Sequence, residues 1–196
     1  LRRGERLALI VLAVIYAAAV LSPVIAPYPP AEQLHIIALK NQAPSLAHPF
    51  GTDRFSRDLL SRVLFGTLIS LSVATLAVIV SGIVGTLYGL VAAAFGRVAD
   101  VVLMRTLDGL MSIPRVLLLI AILALWDPVP LWMLVVLLGI TGWFEVARLV
   151  RAEAIAARER DYVSAARSLG AGRTRIMLRH LLPNVLAPVI VTTAIN

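Results

Sequence analysis

The chain has 196 residues, 60% of them hydrophobic, with 18 Lys+Arg against 11 Asp+Glu and a formal net charge of +7. Its mean hydropathy of +0.91 lies well above that of a soluble domain, whose residues are only about half apolar, so much of the surface must face lipid and the chain reads as an integral membrane protein. With no cysteine there is neither a disulfide framework nor a thiolate metal site, and His35, His48 and His180 stand too far apart for a local metal motif, which leaves each of them a structural role.

In chain order, residues 7–26 form a charge-free run of 20 residues behind Arg2, Arg3 and Arg6, enough to cross a hydrocarbon core about 30 Å thick as a helix. A cleaved signal peptide is the rival reading, but its apolar region is about 7 to 15 residues, so 1–26 is taken as a retained anchor span. Residues 27–62 turn polar, and Pro27, Pro29, Pro30, Pro44 and Pro49 exclude a continuous helix; this is an extramembrane loop. Its end, 53–62, is expected to be a short amphipathic helix with Arg54, Asp58 and Arg62 four apart and alternating in sign.

Residues 63–96 carry no charge over 34 positions, too many for one level span and without the turn that two would need, so a long, tilted or protruding helix is expected. Ser81, Gly85 and Gly89 recur every four residues as a stripe on which another helix can approach closely, either within this chain or from a second subunit. The next span, near 101–126, carries Arg105, Asp108 and Arg115, with Pro114 able to kink it. Charged side chains at membrane depth cost about 2.5 to 3.5 kcal/mol each on insertion scales and usually face protein or water, which makes these three the candidates for a pathway or gate. Alternatively Arg105 and Asp108, three apart, pair with each other in an interfacial segment. A turn at 127–130 leads to a span near 129–150, and a last apolar run occupies 181–196.

Between these last two lies a polar, helix-patterned stretch, 152–182, far longer than the two to eight residues of an ordinary helix connection. Good helix formers occupy 162–169, Gly170 sits where a helix stops, Ala171 and Gly172 make a corner, and a second run starts near Thr174, a candidate N-cap, and reaches Pro183. The product is a bent knob with an arginine rim. If the N-terminus lies inside, twelve arginines fall on the cytoplasmic side against Lys40, Arg54, Arg57 and Arg62 opposite, which satisfies the positive-inside rule and puts the knob in the cytoplasm.

The spacing Ser164-Ala165-Ala166, Gly170, Leu182-Pro183, with His180 between, resembles the cytoplasmic coupling motif of ABC-importer permease subunits: Glu-Ala-Ala, three residues, Gly, nine residues, Ile, one residue, Leu-Pro. Ser164 replaces its acidic residue and His180 its isoleucine, the latter a variant similar to that of the dipeptide, oligopeptide and nickel branch. A second match, His48-Pro49-Phe50-Gly51-Thr52-Asp53 with Arg57-Asp58, Ser61-Arg62, Gly66 and Ser70-Leu71, resembles the segment ahead of that branch's second span, with Ser56 in place of a usual glycine and Leu68 of a usual arginine.

The resemblance implies an all-α type I ABC-importer permease of the C-type, with 63–196 as its transmembrane domain and about six spans, of which the end of the fifth and all of the sixth would be missing from a fragment such as this chain reads as. It further implies a second, homologous permease, two ATP-binding subunits using ATP-Mg, an extracytoplasmic binding protein delivering peptides or a related solute, and a prokaryotic plasma (inner) membrane. In that frame Tyr162, Ala165, Ala166 and Leu169 form the contact with the ATPase, Gly170 the corner, and Arg160, Arg167 and Arg173 the rim, with Ser164, His180, Leu182 and Pro183 completing the motif.

Lys40 is the only lysine and Leu39 precedes it, so there is no phosphate-binding Gly-Lys loop; no nucleophile–base set, HExxH helix or carboxylate pair is present either. A non-catalytic subunit that binds no cofactor or metal of its own is therefore expected. Two other classes remain open: an ion-coupled secondary transporter, with Asp108 as its only candidate carboxylate, and a membrane-tethered helix-turn-helix DNA-binding protein using Arg173, Arg175 and Arg179. The second is disfavoured because its recognition helix would run straight into an apolar span, so no nucleic-acid partner is expected.

Overall fold

A computed structural model describes residues 3–33, 35 and 37–195; Arg2 and Asn196 lie outside the described residues. The elements are α1 (Arg3–Val20), α2 (Ser22–Ile25), α3 (Leu59–Ala94), α4 (Arg97–Met111), α5 (Arg115–Leu123), α6 (Leu131–Arg158), α7 (Asp161–Ser168), α8 (Arg173–Ile176), a π turn (Met177–Leu181) and α9 (Leu182–Ile195). Among the described residues there is no strand, only an isolated bridge between Thr52 and Asp58. The fold is all-α. Helices α3 and α6 are long and apolar enough to cross a membrane. A third span follows if the bent pair α4 and α5 is one. Of the other expected spans, α1 begins with Arg3, Glu5 and Arg6 and ends before Ser22-Pro23, and α9 takes up 14 residues of the run 181–196.

The chain divides into two compact units, Leu1–Val73 and Ala74–Asn196. In the first, the loop after α2 is closed by His48, whose Nδ1 lies 3.0 Å from Asp58 Oδ1 and whose ring packs 5.0 Å from that of Tyr28. The Tyr28 N–H donates to Ser61 Oγ at 3.1 Å. Gly51 adopts φ +74°, and a Cβ there would strike the Gln42 carbonyl. The second matched motif is thus the clasp of this loop.

Of the helix expected over 53–62, only 59–62 is helical, as the first turn of α3, and 53–58 is not. Asp53 folds a turn instead, its Oδ1 accepting from the N–H groups of Phe55 (2.8 Å) and Arg57 (3.0 Å). Asp58, rather than pairing along a helix face, precedes α3 and caps it: its Oδ2 accepts from the Ser61 N–H at 2.8 Å and from Ser61 Oγ at 2.8 Å. Burial raises the affinity of both carboxyls for a proton, yet both sit below the ordinary value. Hydrogen bonds from the Arg57 main chain and side chain outweigh burial at Asp53, as those from Ser61 and His48 do at Asp58.

Ser56 occupies a backbone conformation that favours glycine. Its φ is +59°, in the left-handed region that a side chain adopts at a cost of about 1–2 kcal/mol. Its Oγ is buried without a hydrogen-bond partner among the described residues. Ser56→Gly is expected to stabilise this unit by about 1 kcal/mol, read as a higher melting temperature of the purified protein in detergent; an unchanged or lower value would show that the turn is not strained.

In the second unit, Leu90, Val146, Val150, Ala154, Val163, Ile176, Leu181, Val185 and Val189 form one core that joins α3, α6, α7, α8, the π turn and α9, with α6 packed chiefly on α9. A smaller cluster of Leu107, Trp143 and Ala147 joins α4 to α6, flanked by Tyr88, whose hydroxyl donates to the Leu103 carbonyl at 2.8 Å. The small-residue stripe on α3 faces α6. A Cβ on Gly85 would lie 2.6 Å from Val146 Cβ and 2.7 Å from the Trp143 carbonyl, and one on Gly89 would lie 2.5 Å from the Ala147 carbonyl. The close approach is therefore made within this chain. Elsewhere α3 exposes Ile69, Leu76, Ile79, Ile83 and Leu87, the surface of a lipid-facing helix.

The segment expected as one span over 101–126 is two helices meeting at 66°. Pro114 lacks a donor and disfavours helical geometry at Ile113, and its own ψ of 120° ends the helix before α5 begins.

Candidate functional site

The knob is built by two stop signals and an anchor. Arg160, with extended φ −75° and ψ 147°, precedes α7, and its carbonyl accepts from the N–H groups of Val163 and Ser164. The other end closes as a Schellman motif around Gly170: at φ +82° it donates to the Arg167 carbonyl at 3.0 Å, while the Ala171 N–H reaches back to Ala166 at 3.0 Å. Gly172, not Thr174, precedes α8, and no side chain caps that helix. Four residues later the backbone widens into the π turn, where the Leu182 N–H bonds the Met177 carbonyl five residues back, and the chain passes through Pro183 into α9.

Val163 is fully buried in the main core that α6 and α9 also build, and α7 packs there against α6 and α8. The opposite side of α7 is bare: Ser164, Ala165 and Arg167 are exposed, Ala166 is half-buried, Tyr162 is 39% exposed and Leu169 is 89% exposed. A leucine presented this openly beside small residues is the main apolar feature of the knob's tip. The ends of the motif meet behind it, the rings of Tyr162 and His180 lying 6.2 Å apart. Leu182 is half-buried and Pro183 exposed. Between knob and core lies a cavity of about 370 Å³ whose lining includes Arg158, Arg167 and Arg173. Arg158 also donates to the carbonyl of Ala93 at the end of α3.

The three candidate pathway charges are separated by the fold. Arg105 is exposed on α4. Asp108 does not pair with it but with Arg148 of α6, at 2.5 Å. A second pair, Asp100 with Arg151, holds the same two helices together, with Nη2 to Oδ2 at 2.6 Å. Arg115 opens α5 and donates from Nε to Thr141 Oγ1 at 3.0 Å. It lines a cavity of about 330 Å³ together with Trp143, Phe144 and Glu145. Glu145 was not singled out from the sequence; the signal that marks it is its place in the series Thr141, Glu145, Arg148, which follows one edge of α6 at helical spacing. Among the described residues no group of three or more His, Cys, Asp or Glu is placed to hold a metal ion.

Residues 85–196 match the family described as the binding-protein-dependent transport system inner membrane component, and residues 5–44 match the N-terminal transmembrane domain of oligopeptide transport permease C. A Brucella suis protein provisionally named a peptide transport system permease is 42% identical over 193 residues, covering 97% of this chain and 63% of that protein. The dipeptide transport system permease protein DppC of Alkalihalophilus pseudofirmus is 39% identical over 155 residues, covering 79% and 51%. Its Bacillus subtilis namesake is 34% identical over 183 residues, covering 93% and 56%. The chain thus spans less than two thirds of the length of these relatives. More than half of the chain, including both the knob and the cavity at Arg115, falls within the first match, and the chain belongs to the family of binding-protein-dependent transport system inner membrane components.

Proposed function

We propose that the chain is part of a permease subunit of an ATP-driven importer for peptides or a related small solute, in the inner membrane of a prokaryote with its N-terminus in the cytoplasm. The observation that carries this is the knob: an α7 pinned through Val163 to the core of α6 and α9, with Tyr162, Ala165 and Leu169 presented on its free side. A partner ATPase that takes this face into a groove holds a handle on two membrane helices at once. Its movement on binding ATP-Mg then shifts the bundle between two arrangements. The chain itself does no catalysis and holds no cofactor. Its partners are a homologous permease, two ATPase subunits and an extracytoplasmic binding protein.

The rival readings have less to stand on. The carboxylate that an ion-coupled carrier would use, Asp108, is engaged by Arg148. The helix that would read DNA, α8, has four residues and runs on into the π turn. The test uses the full-length subunit assembled with its partners: cysteines at Ala165 and in the ATPase groove are expected to crosslink in a way that responds to ATP. Absence of crosslinking at every position from 162 to 169 in a folded assembly would overturn the importer reading.

A further inference from the structure

The cavity beside the break between α4 and α5 carries one cation and one carboxylate, Arg115 and Glu145, on a wall that is otherwise mainly apolar, with Trp143 and Phe144 among its lining residues. Its volume of about 330 Å³ falls in the range of small-molecule sites. A second cavity, of about 360 Å³, is lined by Ser81, Leu138 and Val146 among others, and shares Arg115, Gly142 and Glu145 with the first. The two charges thus sit where both cavities meet.

Neither charge is used up by the fold. The Arg115 Nε is tied to Thr141, and a Cβ on Gly142 would lie 3.9 Å from Nη2, so the guanidinium is held against α6; its terminal nitrogens make no hydrogen bond among the described residues. Glu145 is exposed to the cavity and has no hydrogen bond or ion pair among the described residues. The acids of α4 are treated differently, since Asp100 and Asp108 are each matched to an arginine of α6. A cation and an anion left open in one mainly apolar cavity complement a solute that carries both charges itself.

We propose that Arg115 and Glu145 are the two poles of a recognition site for a short zwitterion such as a dipeptide. The guanidinium receives the solute's carboxylate, Glu145 its ammonium group, and Trp143 with Phe144 the apolar side chain. This rests on the importer reading, which supplies the reason for a solute pathway, and adds to it the chemistry that the pathway reads.

The test measures uptake by the full-length subunit in its reconstituted assembly, in ATP-loaded proteoliposomes. The probes are a labelled alanyl-phenylalanine, its C-terminal amide and its N-acetyl form, each supplied at a concentration shown to saturate the binding protein. Arg115→Gln is expected to lower uptake of the free dipeptide about tenfold while changing that of the amide less than twofold; Glu145→Gln is expected to do the same for the free dipeptide against the N-acetyl form. Arg115→Lys, which keeps the charge, recovers part of the uptake. Equal loss for free and blocked peptides in both variants would assign the pair to holding α5 on α6 and overturn the site, as would no loss at all. If the wild-type assembly carries none of the three probes while its Ala165 crosslink still responds to ATP, the zwitterion site falls and the importer stands. Loss of that crosslink in the wild type removes both.

Discussion

Leu169→Asp is expected to reduce ATP-driven uptake by the assembled transporter at least tenfold while leaving the subunit folded. The side chain is 89% exposed, so nothing in this chain's own core depends on it. In the groove of an ATPase the same leucine would be buried, and removing it forfeits about 1.5–3 kcal/mol of apolar burial. A carboxylate in its place must also be desolvated against an apolar wall, which adds to the loss. Since 1.4 kcal/mol is a factor of ten, affinity for the ATPase should fall by that factor or more. The check is binding of the purified partner to wild-type and variant subunits in detergent, beside their melting temperatures. An undiminished affinity would mean that α7 docks by another face or not at all; a collapsed melting temperature would mean that the tip is part of the fold.

The second large effect concerns the contact of α3 with α6, where two alanine substitutions should have opposite signs. On Gly89 a methyl group would lie 2.5 Å from the Ala147 carbonyl, 2.9 Å from Val150 Cβ and 3.0 Å from the Arg151 amide nitrogen. Two of these are backbone atoms, and the third stands on a fully buried residue, so the helices must separate rather than a side chain swing aside. We expect Gly89→Ala to cost about 3 kcal/mol. On Gly82, one stripe away on the same helix, nothing lies within 4 Å. There alanine only adds helix propensity, and Gly82→Ala should gain up to about 1 kcal/mol. Thermal unfolding of both variants in one detergent decides it, and equal shifts would mean that α3 does not lean on α6 through this stripe.

What could be read from the sequence was what depends on near neighbours. The length of α3 follows from an uninterrupted apolar run, and the corner of the knob from Gly170, because left-handed backbone is a local demand. The fold class and the family followed from composition and from two spaced motifs. Partner choice was not legible. Arg105 and Asp108 are three residues apart, yet Asp108 takes Arg148, forty positions away, because the crossing of α4 on α6 brings that guanidinium closer than a neighbour on its own helix. The run from Asp53 to Arg62 has the charge spacing of a helix, but Asp53 and Asp58 spend their carboxylates on backbone N–H groups, the local competition that makes aspartate a turn and cap residue. Glu145 escaped notice because its interest lies in sharing a cavity with Arg115, thirty residues earlier. The knob residues were placed by spacing alone, and the part of that reading which concerns the ATPase rests with the crosslink.

The widened turn between α8 and α9 also bears on how the chain tolerates change in length. A π turn holds one residue more than the α turn it replaces, with the helix on either side keeping its facing. Loss of a single residue from Met177–Leu181 could thus be absorbed by reversion to an ordinary turn, with Ile176 and Val185 still directed inward. The same deletion inside α9 would turn every later side chain by about 100°, exchanging buried Val189 for an exposed neighbour. The spare residue is a place where the join between knob and membrane helix can shorten without re-registering either.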